Sequence, residues 1–502
     1  MDNEDTDPDK ALKYIVFEQS LFELLDLCPT CNRRDLNHVK TFIGSCVSIF
    51  STCTCGFSRQ WSSQPFSQSM PWGNIIMAGA IFFSGSSPVK TVNFMKNAGI
   101  LTLSLTTYNK LQTAYIVPST LSCWQFQQSV YLSNVQRNGG KLKLAGDARC
   151  SSPGHTAKYG TYTVMDVQTS KVVDIQLIQC NEVKNSYNME LEGLKRCLQF
   201  LEEEGVKVSD IVTDRHSQVK KFLRCDHPTI NHWFDVWHVA KEVYKKLESL
   251  GKAKKYALAG KWARSVSNHA YWCAASSKGN GELVRQKWTS ILNHISDIHE
   301  GHGDLFPSCL HGEISRNWIN PGSKLFLEVE KIICNKLLLK DIAKLSPAEQ
   351  TSSLEAFHNI VNFFAPKAIH YFYNQMKARV CLAALHFNAN SSRPQATKDG
   401  EKQFRISFPK GRKGDAVPKE VKTKQNLDYV IELMEEVVIQ RLQFTSTRQA
   451  RQVCAEEMDV PPPSIASQLR ESMGQFSRSE VIYNHCRRFN TSSYVRNAES
   501  II

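Results

Sequence analysis

Leu142-Lys143-Leu144-Ala145-Gly146-Asp147 is an alternating run that closes on an acid, and it opens the stretch, Leu142 to Lys241, around which the rest of the chain is organised. Two more strand-like runs follow, Thr161-Tyr162-Thr163-Val164-Met165 and Val172-Val173-Asp174-Ile175-Gln176-Leu177. From Asn188 to Glu204, Leu191, Leu194, Leu198 and Leu201 recur at helical spacing. Asp210-Ile211-Val212-Thr213-Asp214 is a second short apolar run ending on an acid, and Ser217 to Arg224 has helical character. His232-Trp233-Phe234-Asp235-Val236-Trp237-His238 reads as a strand running into a helix. The expected order is strand, strand, strand, helix, strand, helix, strand, which is an α/β core. An acid at the end of such a strand lies at the rim of the sheet, where loops place chemistry. Two acids side by side there can share hard divalent cations, because carboxylate oxygens suit Mg²⁺ or Mn²⁺.

The 502 residues exceed what one core can organise, so several modules are expected. No apolar run is long enough for a transmembrane helix, and the acidic start, Met1-Asp2-Asn3-Glu4-Asp5, lacks a signal peptide's pattern. The 16 cysteines are scattered through a large chain, which suits reduced thiols and a few metal ligands better than a secreted disulfide framework. A net charge of +13 and a pI near 9.0 suit a polyanionic partner.

An acidic tail over 1–20 leads to a module at 21–70. There Cys28-Pro29-Thr30-Cys31 and Cys53-Thr54-Cys55-Gly56 flank strand-like sequence, the pattern of a zinc ribbon with four thiolates closing a tetrahedral structural site. The second pair has one intervening residue instead of two, which keeps Cys46 open as an alternative ligand. Residues 71–140 read as short helices joined by tight turns, compatible with a helix-turn-helix or with any small helical bundle. After the core's first part, 141–241, residues 242–345 are mostly helical and irregular and rich in Lys, Trp and His, including His269, His294, His299 and His302. A His cluster can mean a second metal, but in a chain of 15 histidines these are expected to be ordinary surface and core residues. Leu354-Glu355-Ala356-Phe357-His358 opens a helix that reaches about Phe364, and a second covers Tyr373 to Phe387, within a segment 346–388. A basic linker or surface arm at 389–424 includes Pro409-Lys410-Gly411-Arg412-Lys413-Gly414, and a helical region at 425–502 includes a short helix near Ile465–Met473.

Four motifs together resemble the catalytic core of eukaryotic cut-and-paste DDE transposases. They are Gly146-Asp147-Ala148-Arg149-Cys150-Ser151-Ser152-Pro153-Gly154-His155, Thr213-Asp214-Arg215-His216, Phe234-Asp235-Val236-Trp237-His238-Val239-Ala240-Lys241 and Leu354-Glu355-Ala356-Phe357-His358. The chain is most similar to Kolobok-type elements and more distantly to Mutator-like, hAT and some bacterial insertion-sequence transposases, over roughly residues 20–410. The resemblance implies an RNase H-like core with a helical insertion, preceded by the zinc-ribbon and helical modules. It implies that Asp147, Asp214 and Glu355 hold two Mg²⁺ or Mn²⁺ ions about 4 Å apart. It implies that Asp235 and His238, in an Asp-x-x-His motif, orient the site, with Arg149, His216, Lys241 and His358 as phosphate-contacting or orienting groups. DNA is the implied partner, the nucleus the expected location, and enzymes of this kind act as homo-oligomers. The chain departs from the relatives at Ala148 and Ser151, where they carry Gly and Asp.

Three functions from different classes fit this reading. One is an active DNA transposase or nuclease. Another is a domesticated, catalytically silent DNA-binding nuclear protein. The third is an unrelated nuclease on RNA–DNA hybrids, for which the ribbon and insertion have no evident purpose.

Overall fold

A computed structural model describes residues 7–153, 157–347, 352–367, 369–409, 414–457, 460–465 and 477–489. His155, Lys410 to Lys413 of the basic run and Met473 lie outside the described residues. Helix α1 (Glu18–Leu25) precedes an antiparallel sheet of β1 (Asn37–Ile43), β2 (Cys46–Thr52) and β3 (Ser58–Ser62). Helices α2 (Trp72–Phe83), α3 (Pro88–Asn97), α4 (Leu105–Leu111) and α5 (Val117–Arg137) follow, with one π turn between the last two. Ser87 and Ser104 cap α3 and α4 by accepting backbone N–H groups that a helix start leaves unpaired.

The decisive stretch folds into β4 (Lys141–Cys150), β5 (Tyr159–Asp166), β6 (Lys171–Gln179), α6 (Asn188–Glu203), β7 (Lys207–Thr213), α7 (Ser217–Asp226), β8 (Asn231–Phe234) and α8 (Val236–Gly251). The sheet runs β8-β7-β4-β5-β6. β4, β5 and β6 are antiparallel neighbours, whereas β7 and β8 lie parallel to β4's direction. One difference from the sequence reading concerns Asp147. It is not the last residue of its strand, because antiparallel pairing with β5 carries β4 on to Cys150. It sits instead just beyond the point where the parallel partner β7 leaves, the last matched pair being Ala145 and Val212.

Strand alternation divides the core in two, since successive side chains point to opposite faces. On one face Leu144, Tyr162, Val164 and Ile178 meet Leu194, Cys197, Leu198 and Leu201 of α6. On the other, Ala145, Met165, Leu177 and Val212 meet α5, α14 (Ser352–Phe364) and α15 (Tyr373–Asn390). β5 is therefore buried along its whole length. Phe357 is 0 % exposed there, and its burial contributes about 2–3 kcal/mol.

Between β8 and α14 lie α9 (Ala257–Ser276), α10 (Gly281–Thr289), α11 (Ile291–His294), α12 (Lys324–Ile333) and α13 (Lys336–Ile342). With α8 they enclose a core of their own around Trp262 and Trp288. The chain returns beside the point where it left: the Phe234 N–H donates to the Lys344 carbonyl, and the Ser346 N–H to that of Phe234. Residues 235–345 are thus spliced into one edge of the sheet.

Residues 389–424, expected as an irregular basic linker, contain two short hairpins, one of them β9 (Phe404–Ser407) with β10 (Val417–Glu420). Helix α16 (Asp428–Gln443) then packs onto α5 and α2, and α17 (Thr447–Glu457) onto the π turn at Gln112–Ile116. Buried Arg441 donates to the Ser67 carbonyl and so ties α16 to the chain's beginning. Everything to Asp459 forms one compact unit, to which α2, α4 and α5 contribute core, leaving α3 as the largely exposed helix of 71–140. A second unit covers Val460–Ile502 and includes α18 (Arg478–Phe489). Among the described residues no helix is long and apolar enough to cross a membrane.

Candidate active site

Two residues past the last parallel pair, β4 and β7 present Asp147 and Asp214 as neighbours on one sheet face. Both carboxylates are set by the backbone. Asp147 Oδ1 accepts the Ala148 N–H at 2.8 Å, and Asp214 Oδ1 accepts the His216 N–H at 2.9 Å as the chain turns into α7. Burial pushes the Asp147 carboxyl up to about 7, and the charges of Asp214, Asp235 and Glu355 push the same way. That electrostatic coupling brings the three acids singled out in the sequence into one neighbourhood.

Helix α14 crosses this face with Leu354, Phe357 and Val361 turned into the core, which leaves Glu355 and His358, one turn apart, on the side of the acids. Glu355 is exposed, and His358 Nδ1 lies 3.7 Å from Asp147 Oδ2. Burial first, then the cations of Arg149 and Lys367, holds the His358 ring down to about 4, so it is neutral at pH 7 and does not balance Asp147.

Asp235 joins the rim because its N–H donates to the Thr213 carbonyl at 2.9 Å, beside Asp214. Its fully buried side chain caps α8 by accepting the Trp237 N–H at 3.1 Å. His238 follows one turn later, with Nε2 3.9 Å from Asp235 Oδ2. The Lys241 ammonium lies over the Trp237 ring, 3.6 Å from its centre.

Two groups expected at phosphate are placed otherwise. Arg149 is 5 % exposed and donates to the Ala365 carbonyl at 3.1 Å and to Asn362, so it locks β4 to the end of α14 instead of facing solvent. His216 is buried with its ring 4.0 Å from that of Tyr187, and its Nε2 is 4.0 Å from Glu190. It can orient the site, not meet a bulky phosphate.

Glu190 is the acid that sequence reasoning missed. It enters from the opposite sheet face in the first turn of α6. Burial raises it to about 9, reinforced by the charges of Asp214 and Asp147 and by a hydrogen bond with Asp214. An acid in a helix's first turn is ordinarily a dipole partner, so nothing in the sequence singles this one out. Gly193, one turn later, allows the approach: a Cβ there would stand 2.3 Å from Tyr162 Cβ and 3.0 Å from Ile178 Cδ1. Tyr271 of α9 was missed as well; burial and the charges of Asp235 and Glu355 raise its pKa, which brings the insertion up to the acids.

The Cys28, Cys31, Cys53 and Cys55 sulfurs lie within 4.8 Å of one another, a set compatible with structural zinc. Cys28 and Cys55 are 3.6 Å apart, as are Cys31 and Cys53. Burial opposes ionisation of Cys28, yet N–H groups of Cys31 and Thr30 and the neighbouring thiols bring it down to about 6. Cys46 is excluded from the set; it is buried in β2 and takes a hydrogen bond from Ser63 at 3.7 Å. The short second pair works because Gly56, at φ 93°, turns the chain sharply behind it.

No protein-family model and no curated protein matches the chain. Among solved structures it is similar to the Drosophila P element transposase strand transfer complex, with a TM-score of 0.31 and 13% sequence identity over 66% of this chain and 94% of that one.

Proposed function

We propose that this chain is a transposase-derived protein that cleaves DNA phosphodiester bonds and transfers strands at an Asp147, Asp214 and Glu355 site within an RNase H-like core. The observation that carries the reading is the placing of Asp147 with Asp214, Asp235 and Glu355: burial first, then these charges, push its carboxyl to about 7 while the histidine against it stays neutral. Uncompensated acids destabilise a fold and are retained where a cation relieves them. The sheet order, three antiparallel strands continued by two parallel ones, supports the RNase H-like assignment, and the spliced-in helices 235–345 fit the family's insertion.

The donor set is all oxygen, as hard cations require. Asp147, Asp214 and Glu355 would hold Mg²⁺ or Mn²⁺, which when bound supplies an activated water or 3′-hydroxyl and neutralises charge at the leaving oxygen. Backbone N–H groups hold Asp147 and Asp214 in place before substrate arrives. Asp235, fixed by its bonds to Thr213 and Trp237, aims His238 along the rim. Exposed Lys241, Lys245, Lys252, Lys254, Lys255 and Lys261 line α8, α9 and the turn between them, where a DNA backbone would be drawn in. Cys28, Cys31, Cys53 and Cys55 would hold structural zinc, and the working location is the nucleus.

The second reading, a DNA-binding protein that no longer cuts, uses the same lysines and draws on the exposure of Glu355. Nicking and strand transfer on supercoiled and linear DNA with Mg²⁺ or Mn²⁺ separates the two. Metal-dependent activity lost in Asp214→Ala and Glu355→Ala supports catalysis. Salt-sensitive binding without cleavage in wild type supports the silent binder.

A further inference from the structure

The segment between α11 and α12, from Ile295 to Ser323, crosses the insertion with no helix or strand, held by an isolated bridge between Glu300 and Ser308. Loops of this length in a compact unit need something to hold them. Three histidines and a cysteine from this region converge: His294 at the end of α11, His299, Cys309 and His311, with one potential ligand atom from each inside 4.8 Å of the others.

The contacts are those of donors prepared for a metal. His311 Nδ1 donates to the Gly312 carbonyl at 2.7 Å, so a neutral ring presents Nε2 as a bare lone pair, 3.1 Å from His294 Nδ1. His299 Nε2 donates to Asp297 Oδ1 at 3.2 Å, and its Nδ1 is buried with no hydrogen-bond partner. A histidine whose far nitrogen is fixed by a carboxylate or carbonyl is the usual arrangement of a metal ligand. Cys309 Sγ is 3.7 Å from His294 Nδ1. It also meets His302 Nε2 at 3.2 Å, and because the Asn293 amide reaches His302 Nδ1 at 3.1 Å, that Nε2 carries the proton and points it at the sulfur. Burial raises the Cys309 thiol, and the donor aimed at Sγ works against that by favouring the thiolate, the form that binds metal.

Backbone contacts assemble the set: the Cys309 N–H donates to the His299 carbonyl at 2.8 Å. Trp262 and Trp318, stacked on each other, wall the imidazoles of His294 and His299. For zinc, with bonds of about 2.0–2.3 Å, tetrahedral donors stand roughly 3.3–3.8 Å apart. The donor separations of 3.1 and 3.7 Å bracket most of that range.

We propose that His294, His299, Cys309 and His311 bind one zinc ion and that this closed, four-ligand site staples the 295–323 loop onto α9 and α11. With every position taken by protein, the site is structural and independent of the acids at the sheet rim. His294 and His299 do have a His-x₄-His spacing of the kind found in zinc sites, but no Cys-x-x-Cys accompanies it, and in a chain of 15 histidines that spacing alone reads as ordinary.

The test measures zinc per chain in the purified full-length protein by mass spectrometry and repeats it on two double variants. Wild type is expected to carry two equivalents, Cys309→Ser with His311→Ala one, and Cys28→Ser with Cys31→Ser one. Unchanged zinc in the Cys309/His311 variant overturns the proposal, as does a wild type holding a single equivalent that is lost with Cys28 and Cys31. If the first variant fails to fold, Co²⁺ added to the Cys28/Cys31 variant decides. Tetrahedral absorption with charge transfer from a single thiolate supports the site, and absence of bound cobalt overturns it. If both variants fail to fold, the wild-type count alone decides, two equivalents supporting the site and one or none overturning it. None of these readouts depends on DNA cleavage, so failure here and failure of the catalytic reading are distinguishable.

Discussion

Replacing Asp147 by Asn should stabilise the metal-free protein near pH 8. The carboxyl stands at about 7 against an ordinary 3.8, raised by burial and by the neighbouring acids. Below pH 3.8 it is protonated in both folded and unfolded chains and costs nothing. Between 3.8 and 7 the unfolded chain releases the proton while the folded one keeps it, so stability falls as pH rises. Above 7 the loss is complete. About three pKa units at 1.36 kcal/mol each set a ceiling of about 4 kcal/mol. Movement of the acids and entry of water reduce this, and about 2 kcal/mol is the expected gain. Asn retains the oxygen that accepts the Ala148 N–H, so the local turn survives. The assay is urea denaturation in chelator from pH 4.5 to 8.5. The variant should gain with rising pH, its advantage should shrink towards pH 4.5 and vanish only below about 3.8, and added Mn²⁺ should stabilise wild type alone. A variant no more stable than wild type at pH 8, or a difference that ignores pH, would refute the crowding of Asp147.

Three further outcomes follow from the same geometry. Glu190→Gln should stabilise the protein by about 1–3 kcal/mol at pH 7, because the unfolded carboxyl releases its proton above its ordinary 4.5 while the folded one, at about 9, keeps it; the gain should grow from about pH 4.5 to the end of the same denaturation series. Gly193→Ala should cost about 1–3 kcal/mol by forcing α6 off Tyr162 and Ile178, measured as a shifted denaturation midpoint. Lys254→Glu with Lys255→Glu should weaken DNA binding about equally for unrelated sequences and reduce the slope of log K against log salt by up to about 2, in fluorescence anisotropy titrations.

Much of the sheet was legible because its strands and helices carry clean periods. The helix expected from Asn188 to Glu204 ends one residue earlier, and the one expected to reach about Phe364 ends there. Asp214 falls where Thr213 closes β7, as the apolar run implied. Asp147 was recognisable, but its place inside β4 depended on a longer pairing with β5, and pairing length is a property of two strands together. Arg149 looked like a phosphate ligand because a positive charge beside a catalytic motif suggests one; the end of α14, distant in sequence, claims it.

Residue order alone determined the alternation of strand and helix, the two acids at strand ends, the paired cysteines and the basic balance, because each is written in local spacing or composition. Only the tertiary structure decided that Glu190 reaches the acids from the other sheet face, that Arg149 is a buried tie, that Cys46 stands aside, and that three residues of an irregular loop meet His294 at the end of α11. Those outcomes depend on how closely distant segments approach, which a single Gly193 or one exchange of backbone bonds at Phe234 controls and which no local period records.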